Sequence, residues 1–348
     1  MTASALAGVM VLAKGVAALV ATAMSVAVTP PVPPPVPPPV QPVISHDFAD
    51  PGVLHAGGVY YAYSTMSRYG AALWHVPVAR ATRIGGGWRV LRDAMPRLPA
   101  WVDQSSPGQG DVWAPDVSAS RHGGYLMYFT ARSAQWKIQC IGAATARSPT
   151  GPFTPAPRPL LCRPHHTTVD AIDPAAFTDA DGRHYLLYAS SARHPRGTPL
   201  TAIWLQPTSR DGLRLHGRPR RLIVADRADE AHIVEAPALI RHGGRYVLFY
   251  SGNTFNSGRY FVNYATATSL CQRFAQHPGQ LLNSAGLDGA YQNPGGADVL
   301  SAPHDDFLMF HAYTGTSTRA LFAVGMRWNR HDQPVLNLTT PQPLAVRP

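Results

Sequence analysis

The pattern of apolar and polar positions along the chain repeats five times. Each copy begins with a small or acidic residue, continues through a short apolar stretch and a polar turn, and ends in a longer apolar run. Successive copies are spaced by 64, 59, 63 and 60 residues when they are aligned on Pro51, Pro115, Pro174, Pro237 and Ala297. Self-similarity at a nearly fixed period indicates a repeat architecture.

Each copy has the features of a β-hairpin. Turns such as HAGG and RHGG supply the glycines that tight hairpin connections need. The second strands are nearly continuous apolar runs, typical of strands covered on both faces, and they read VYYAYS, YLMYFT, HYLLYA, RYVLFY and FLMFHAY. Further short strands lie between the hairpins. Four strands in each of five units predict an all-β fold, a five-bladed β-propeller; a β-sandwich with coincidental hairpins is the alternative.

Two unusual segments precede the repeats. Residues 1–29 are small and apolar with Lys14 as their only charge, and they are predicted to be a signal peptide or, alternatively, an N-terminal anchor. Residues 30–43 are predicted to be a stiff linker, because nine of thirteen consecutive residues there are proline. Residues 44–348 then form the propeller. The protein is expected to be secreted, or membrane-anchored on the outside, with no membrane span in the mature form.

Composition narrows the class of partner. The 348-residue chain is 14% charged, against the usual ~25%, and its formal net charge is +10. Such a balance can indicate nucleic-acid binding, but the arginines stand singly between turn residues and form no long basic run. No nucleic-acid partner is therefore expected. A basic surface that favours anionic cell-surface polymers is the alternative.

The three cysteines suggest one disulfide. Cys140 and Cys162 lie 22 residues apart on either side of a turn-rich stretch, and a bridge between them fits an exported protein. Two buried thiols are the alternative. Cys271 is expected to be free and buried.

Three acidic residues lie at or next to equivalent places in different repeats. The first strand of each propeller blade lines the central axis, so residues just before these strands gather at one mouth of the channel. Asp50, Asp173 and Glu235 lie at or next to this position in repeats one, three and four. A pair of carboxyl groups across a cleft is the apparatus of glycoside hydrolysis. The sequence has no phosphate-binding glycine loop, GxSxG elbow or HExxH site to suggest other chemistry.

The segments around these carboxylates resemble glycoside hydrolase family 43, the five-bladed propeller enzymes that act on arabinan and xylan. The resemblance covers about residues 44–348 and rests on HDFADPGV, VWAPDVS, AIDPAAFTDADGRHYLLY, VEAPALIRHGGRYVLFYS, MFHAY and TRALFAVGMRW. It implies that Asp50 is the general base that activates water and that Glu235 is the general acid. Asp173 would tune the pKa of that acid and position it. Asp47 lacks a following proline and is interpreted as loop.

The resemblance also suggests substrate contacts. Phe48 and Trp113 are candidates for stacking on a sugar face, with core packing as the alternative. Asp116 would bond sugar hydroxyls or cap a strand. Arg319 stands where the family has an arginine beside the tuning carboxylate, and its guanidinium is expected to pair with Asp173 in a bidentate manner.

A metal ion is a further question that the resemblance raises. Many arabinan-cleaving relatives use a histidine to help hold a calcium ion in the channel, and Gly296 stands at the equivalent place here. No cofactor is therefore expected to be required. A structural calcium ion is left as an alternative, with His311 near the axis as its candidate ligand.

Together these features predict a monomeric, exported glycosidase that inverts the anomeric centre. Its expected substrate is an α-L-arabinofuranosyl linkage in arabinan or arabinoxylan, that is, in a plant-type or cell-wall polysaccharide. A β-xylosidase and an endo-arabinanase are alternatives within the same class. A non-catalytic, secreted carbohydrate-binding propeller is the alternative from a different class.

Overall fold

The computed structural model describes six ranges, residues 40–105, 111–120, 123–162, 170–192, 200–301 and 305–338. The predicted signal peptide and most of the predicted linker lie outside these ranges. The chain divides into the units Met1–Pro37 and Pro38–Pro348. Val40, near the end of the predicted linker, is 1% exposed and packs in an apolar cluster of the second unit. Contacts with the propeller therefore begin before Ile44.

Five four-stranded antiparallel sheets make up the second unit, and their strands follow one another in sequence from the axis outwards. Blade 1 also carries a two-stranded hairpin, β3–β4. The first two blades contain β1 (Gly52–Ala56), β2 (Val59–Tyr63), β3 (Ser67–Tyr69), β4 (Ala72–Trp74), β5 (Pro77–Ala81), β6 (Arg89–Asp93), β7 (Trp113–Ala119), β8 (Tyr125–Arg132), β9 (Gln139–Ala146) and β10 (Thr154–Pro155).

Blades 3 to 5 repeat the same order of inner, second, third and outer strand. They contain β11 (Ala171–Thr178), β12 (His184–Ala192), β13 (Leu200–Thr208), β14 (Arg220–Val224), β15 (Val234–His242), β16 (Arg245–Gly252), β17 (Phe261–Ala267), β18 (Ala275–Gln276), β19 (Gln292–Ser301), β20 (Asp306–Tyr313), β21 (Arg319–Trp328) and β22 (Pro334–Asn337). Two short 3-10 helices, Ala228–Glu230 and Ala285–Leu287, interrupt this strand-rich part of the chain.

The inner strands β1, β7, β11, β15 and β19 contact one another in a closed ring, with β19 against β1. Five apolar clusters fill the junctions between neighbouring blades. The second strands are apolar on both faces because each blade is covered on both sides by a neighbour. This arrangement confirms the predicted five-bladed β-propeller, and it leaves the axis free of an apolar core.

A short N-terminal segment closes the ring. Residues 43–48, called the closing segment below, run antiparallel to the start of β21. The N–H of Val43 donates to the carbonyl of Leu321 at 2.8 Å, and the N–H of Leu321 donates to the carbonyl of Ile44 at 3.0 Å. The N–H of Phe48 donates to the carbonyl of Arg319 at 2.8 Å. The last blade is thereby joined to the residues that lead into the first.

The predicted disulfide is present. Cys140, on the third strand of blade 2, is bonded to Cys162, and their Cα atoms are 4.7 Å apart. Cys271 is free as predicted, but it is exposed rather than buried, because it lies in the turn that leads to the outer strand of blade 4. Within the described ranges, no helix is both long and apolar enough to cross a membrane.

Candidate active site

Five residues with left-handed backbone line the axial channel, one at the start of each inner strand. Their φ angles lie between 44° and 58°. In blades 2 to 5 the pairing of the inner with the second strand shifts register here, and such β-bulges re-aim side chains. The five residues are Asp50, Ala114, Asp173, Ala236 and Gly296. Each directly precedes an alignment position of the sequence repeat, so the repeat marks the channel lining.

The N–H group of each left-handed residue donates a hydrogen bond to a side chain of the preceding blade. The bonds run from Asp50 to His311 Nδ1 (3.1 Å), Ala114 to Thr65 Oγ1 (3.0 Å), Asp173 to Thr130 Oγ1 (3.0 Å), Ala236 to Asp173 Oδ2 (2.9 Å) and Gly296 to Ser251 Oγ (2.9 Å). Most of these acceptors were not predicted from the sequence. The available signal was the Thr, Ser or His that ends the apolar second-strand run in repeats one, two, four and five.

Asp50 is held as an ionised carboxylate. Thr65 Oγ1 donates to its Oδ2 at 2.6 Å, Arg319 Nη1 lies 3.4 Å from the same oxygen, and His311 Nδ1 lies 3.2 Å from Oδ1. Burial alone would raise the pKa of Asp50, but the charge of Arg319 and the hydrogen bond from Thr65 act against burial and hold that pKa below its usual range. A carboxylate that stays ionised is suited to act as a base.

The position of Arg319 corrects one prediction. Its guanidinium forms an ion pair with Asp50, not the predicted bidentate pair with Asp173. The reason lies in the closing segment, where Asp47 Oδ1 accepts the Arg319 N–H at 3.0 Å. That bond fixes the start of β21 beside the first repeat. Asp47 itself is a structural acceptor, consistent with its interpretation as loop.

Glu235 has the opposite electrostatic environment. Burial raises its pKa to about 7, with a further rise from the charge of Asp50; a hydrogen bond from Tyr260 and the charge of Arg319 act in the opposite direction. The Tyr260 hydroxyl donates to Oε1 of Glu235 at 2.8 Å. Near neutral pH a large fraction of Glu235 is therefore protonated, as a general acid requires. No sequence pattern predicted the role of Tyr260.

Asp173 is connected to Glu235 through the backbone. Its Oδ2 accepts the N–H of Ala236, the residue that follows Glu235. Burial raises the pKa of Asp173 well above its usual range, and the charges of Glu235 and Asp50 raise it further. The pKa of Glu235, by contrast, is raised first by its own burial. The contact of Asp173 with the Ala236 N–H is therefore a positioning contact.

Asp116 and a carboxylate absent from the predictions, Asp298, line the same channel. Asp116 Oδ2 accepts the N–H of Ala176 in the next blade, and Asp298 Oδ2 accepts the N–H of Val53, each at 2.8 Å. Burial raises the pKa of both carboxyls, and the charge of Asp298 raises that of Asp116 further. Of the two roles predicted for Asp116, these contacts favour strand capping, here between blades.

The two aromatic candidates differ in accessibility. Phe48 is 0% exposed and packs in the cluster between blades 5 and 1. The prediction that Phe48 stacks on a sugar is therefore wrong, because the closing segment turns this side chain into the core. Trp113 is partly exposed at the start of the inner strand of blade 2 and stays a candidate for sugar stacking.

His311 is the residue that the sequence suggested as a metal ligand. His311 is 0% exposed, and its Nε2 atom has no hydrogen-bond partner in the described structure. Its Nδ1 is engaged by Asp50, and Gly296 contributes no side chain. Among the described ranges, no group of three or more His, Cys, Asp or Glu side chains is arranged to hold a metal ion. A calcium ion held mainly by water, with His311 as its protein ligand, therefore stays a prediction.

Known proteins resemble this chain in sequence and in fold. The chain is 24% identical over 312 residues to the probable arabinan endo-1,5-alpha-L-arabinosidase A of Aspergillus clavatus, covering 81% of this chain and 87% of that protein. It is 24% identical over 274 residues to the extracellular endo-alpha-(1->5)-L-arabinanase 1 of Bacillus subtilis, covering 76% and 79%. The crystal structure of a thermostable family-43 glycoside hydrolase superposes with a TM-score of 0.73 at 24% identity, covering 87% of this chain and 98% of that one.

The family assignment rests on a match along most of the sequence. Residues 40–334 match the family described as Glycosyl hydrolases family 43. The five blades, the channel carboxylates and this match agree, and the chain belongs to glycosyl hydrolases family 43, whose members are glycoside hydrolases.

Proposed function

We propose that the protein is an inverting hydrolase of α-L-arabinofuranosyl linkages in arabinan or arabinoxylan. The observation that carries this proposal is the electrostatic difference between two carboxyl groups at one channel mouth. The environment of Asp50 favours the carboxylate, whereas burial raises the pKa of Glu235 to about 7. A pair whose environments separate their pKa values in this way supplies a base and an acid at the same pH.

In the proposed reaction, water attacks the anomeric carbon from the side opposite the leaving group. Asp50 accepts a proton from this water as the new C–O bond forms. Glu235 donates its proton to the glycosidic oxygen as the bond to the leaving group breaks. Because water attacks directly, the product has the inverted anomeric configuration, and the two carboxyl groups should lie about 6.5–9.5 Å apart.

Asp173 acts as a positioning residue in this proposal. Its bond to the Ala236 N–H holds the backbone immediately after Glu235. In the proposed steps, protons move only between water, Asp50, Glu235 and the glycosidic oxygen. Treatment with a chelator should therefore leave activity unchanged, and a loss of activity or a lower unfolding temperature would favour the alternative of a structural calcium ion.

The choice of sugar is supported by the relatives. Two of them, from Aspergillus clavatus and Bacillus subtilis, carry names that refer to arabinan or arabinanase activity. Both names specify endo action, so endo-arabinanase activity is the second candidate. Product sizes distinguish the two, since an exo enzyme releases single arabinose units from linear arabinan and an endo enzyme releases oligosaccharides first.

The deciding experiment is a substrate panel with the full chain. Nitrophenyl arabinofuranoside, nitrophenyl xyloside, linear arabinan and arabinoxylan should be assayed together. Turnover of the arabinosides with little turnover of the xyloside supports the proposal. Turnover of the xyloside alone would favour a β-xylosidase, and binding without turnover of any substrate would favour a carbohydrate-binding propeller.

We also propose that the protein is secreted. The disulfide between Cys140 and Cys162 fits an oxidising compartment, and the Bacillus subtilis relative is named as extracellular. Cell fractionation of the native host tests this: the protein should be found outside the cytoplasm, and its mature N-terminus should lie after the apolar segment at residues 1–29.

A further inference from the structure

The loop between β16 and β17 carries an aromatic side chain that the proposed catalytic steps do not use. Phe255 is 41% exposed, and it is one of the few large apolar side chains left exposed in the described ranges. Single exposed apolar residues are ordinary on protein surfaces. Exposure alone therefore does not indicate a function. A functional role for Phe255 has to follow from its position and its fixed conformation.

Phe255 lies close to the ionised carboxylate. The Cζ atom of Arg319 is 5.4 Å from the centroid of the Phe255 ring, and Nη1 of the same guanidinium is 3.4 Å from Asp50 Oδ2. The loop is on the mouth side of the propeller, because Gly252 at its start pairs with Val234, just before Glu235. The Arg319 side chain thus lies between the exposed Phe255 ring and the Asp50 carboxylate.

Hydrogen bonds hold the loop in one conformation. The Ser257 N–H donates to the Thr254 carbonyl at 3.0 Å, which closes a tight turn around Phe255. The Thr254 N–H donates to Asn253 Oδ1 at 2.8 Å, and the Asn253 side chain donates to the Asp229 carbonyl at 2.9 Å. A side chain on such an anchored turn is preorganised, so little entropy is lost when a ligand packs against it.

We propose that Phe255 is a platform for a sugar unit of the substrate chain next to the unit whose bond is cleaved. This inference rests on the proposed function. The Arg319 guanidinium lies over one face of the ring, which leaves the other face for the C–H face of a pentose. An aromatic ring that loses few torsional degrees of freedom on binding suits this task.

The test compares Phe255→Ala with wild type, in the full chain, on two substrates. One is an arabino-oligosaccharide, which reaches the platform, and the other is arabinofuranosyl azide, whose leaving group has no ring to stack. The variant should raise KM for the oligosaccharide about tenfold and leave kcat within about twofold. Both constants for the azide should stay within about twofold. Phe255→Trp should retain tight binding, and Leu213→Ala, an exposed apolar control, should change nothing.

Other outcomes would contradict the proposal that Phe255 is a platform for a sugar unit. An unchanged KM for the oligosaccharide would do so directly. A fall in kcat shared by both substrates would mean that Phe255 only holds Arg319 in place. If wild type cleaved neither substrate, the proposed function would fail, and calorimetric titration with arabino- and xylo-oligosaccharides would still decide. Binding that Phe255→Ala weakens would support the platform, whereas equal or absent binding would refute it.

Discussion

The hydroxyl of Tyr260 donates a 2.8 Å hydrogen bond to Oε1 of Glu235. The tyrosine is 2% exposed, and its ring stacks on that of His311 with a centroid distance of 6.0 Å. Tyr260 therefore joins the surroundings of the two carboxyl groups. Its hydrogen bond favours the ionised form of Glu235 and opposes the effect of burial.

Removing this hydroxyl should move the pH profile in a defined direction. In Tyr260→Phe the ionised form of Glu235 loses a donor, so its pKa should rise, by about one unit for a charge-assisted bond. The basic limb of kcat/KM should move to higher pH by that amount. Tyr264→Phe, whose ring stacks on His277, is the control. A basic limb that stays in place would show that the bond does not tune the acid.

Gly296 should not tolerate even a methyl group. A Cβ atom there would lie 2.7 Å from both Asp50 Oδ1 and His311 Nδ1. Gly289 has a similar positive φ but open space around it, so Gly289→Ala is a matched control for backbone strain. Both variants should lose about 1 kcal/mol of stability from strain. Only Gly296→Ala should also lose activity, by about tenfold or more, and equal activities would contradict the close packing.

Glu235→Gln tests the acid. The amide cannot donate the proton that a poor leaving group needs, so hydrolysis of arabinan should fall about 10²–10⁴-fold. Activated aryl glycosides should lose much less. Wild-type activity should decline as pH rises through about 7, where Glu235 loses its proton, and this basic limb should disappear in the variant. Equal losses on both substrates would remove Glu235 from the role of acid.

Asp50→Asn tests the base. Both substrate types should lose activity about 10²–10⁴-fold, since every substrate still needs activated water. The low pKa of Asp50 also predicts that the acidic limb of wild-type activity lies well below the usual aspartate range. NMR of the first-formed product should show inversion. A retained anomer, or azide rescue giving a retained product, would make Asp50 a nucleophile instead.

The disulfide should stabilise the fold without affecting chemistry. Cys140 and Cys162 close a loop with a sequence separation of 22, and the chain-entropy model assigns about 3 kcal/mol to such a loop. Replacing both by alanine should lower the free energy of unfolding by about that amount in urea titrations. Cys271→Ser should be neutral because that thiol is exposed. Unchanged stability in the double variant would contradict the prediction.

The sequence was most informative where the fold repeats itself. The alignment on Pro51 and its counterparts marks the channel lining, because the residue before each takes the same left-handed conformation. Five similar repeats reinforce one another in the alignment, which is why the number of blades could be predicted, and the structure confirms it. Asp50 and Asp173 hold equivalent positions in this alignment and Glu235 directly precedes a third, Ala236; their placement at one mouth follows because equivalent positions in a closed ring share one face.

Contacts outside the repeat could not be predicted in this way. Arg319 pairs with Asp50, and Phe48 turns into the core, because the closing segment crosses from the first blade to the last. No periodicity describes that crossing. The exposure of Cys271 depends on a single turn, and the aim of the Tyr260 hydroxyl depends on a loop outside the strands.

The closing segment has a consequence for inactivation. The same few residues that join the last blade to the first also lead into Asp50, and their partner β21 begins with Arg319. Opening this seam would displace Asp50, the proposed base, together with its counter-charge Arg319, while the other four junctions between blades stayed packed. Activity therefore depends on the closure of the ring of blades. Heat or denaturant should abolish activity before most of the β-structure unfolds.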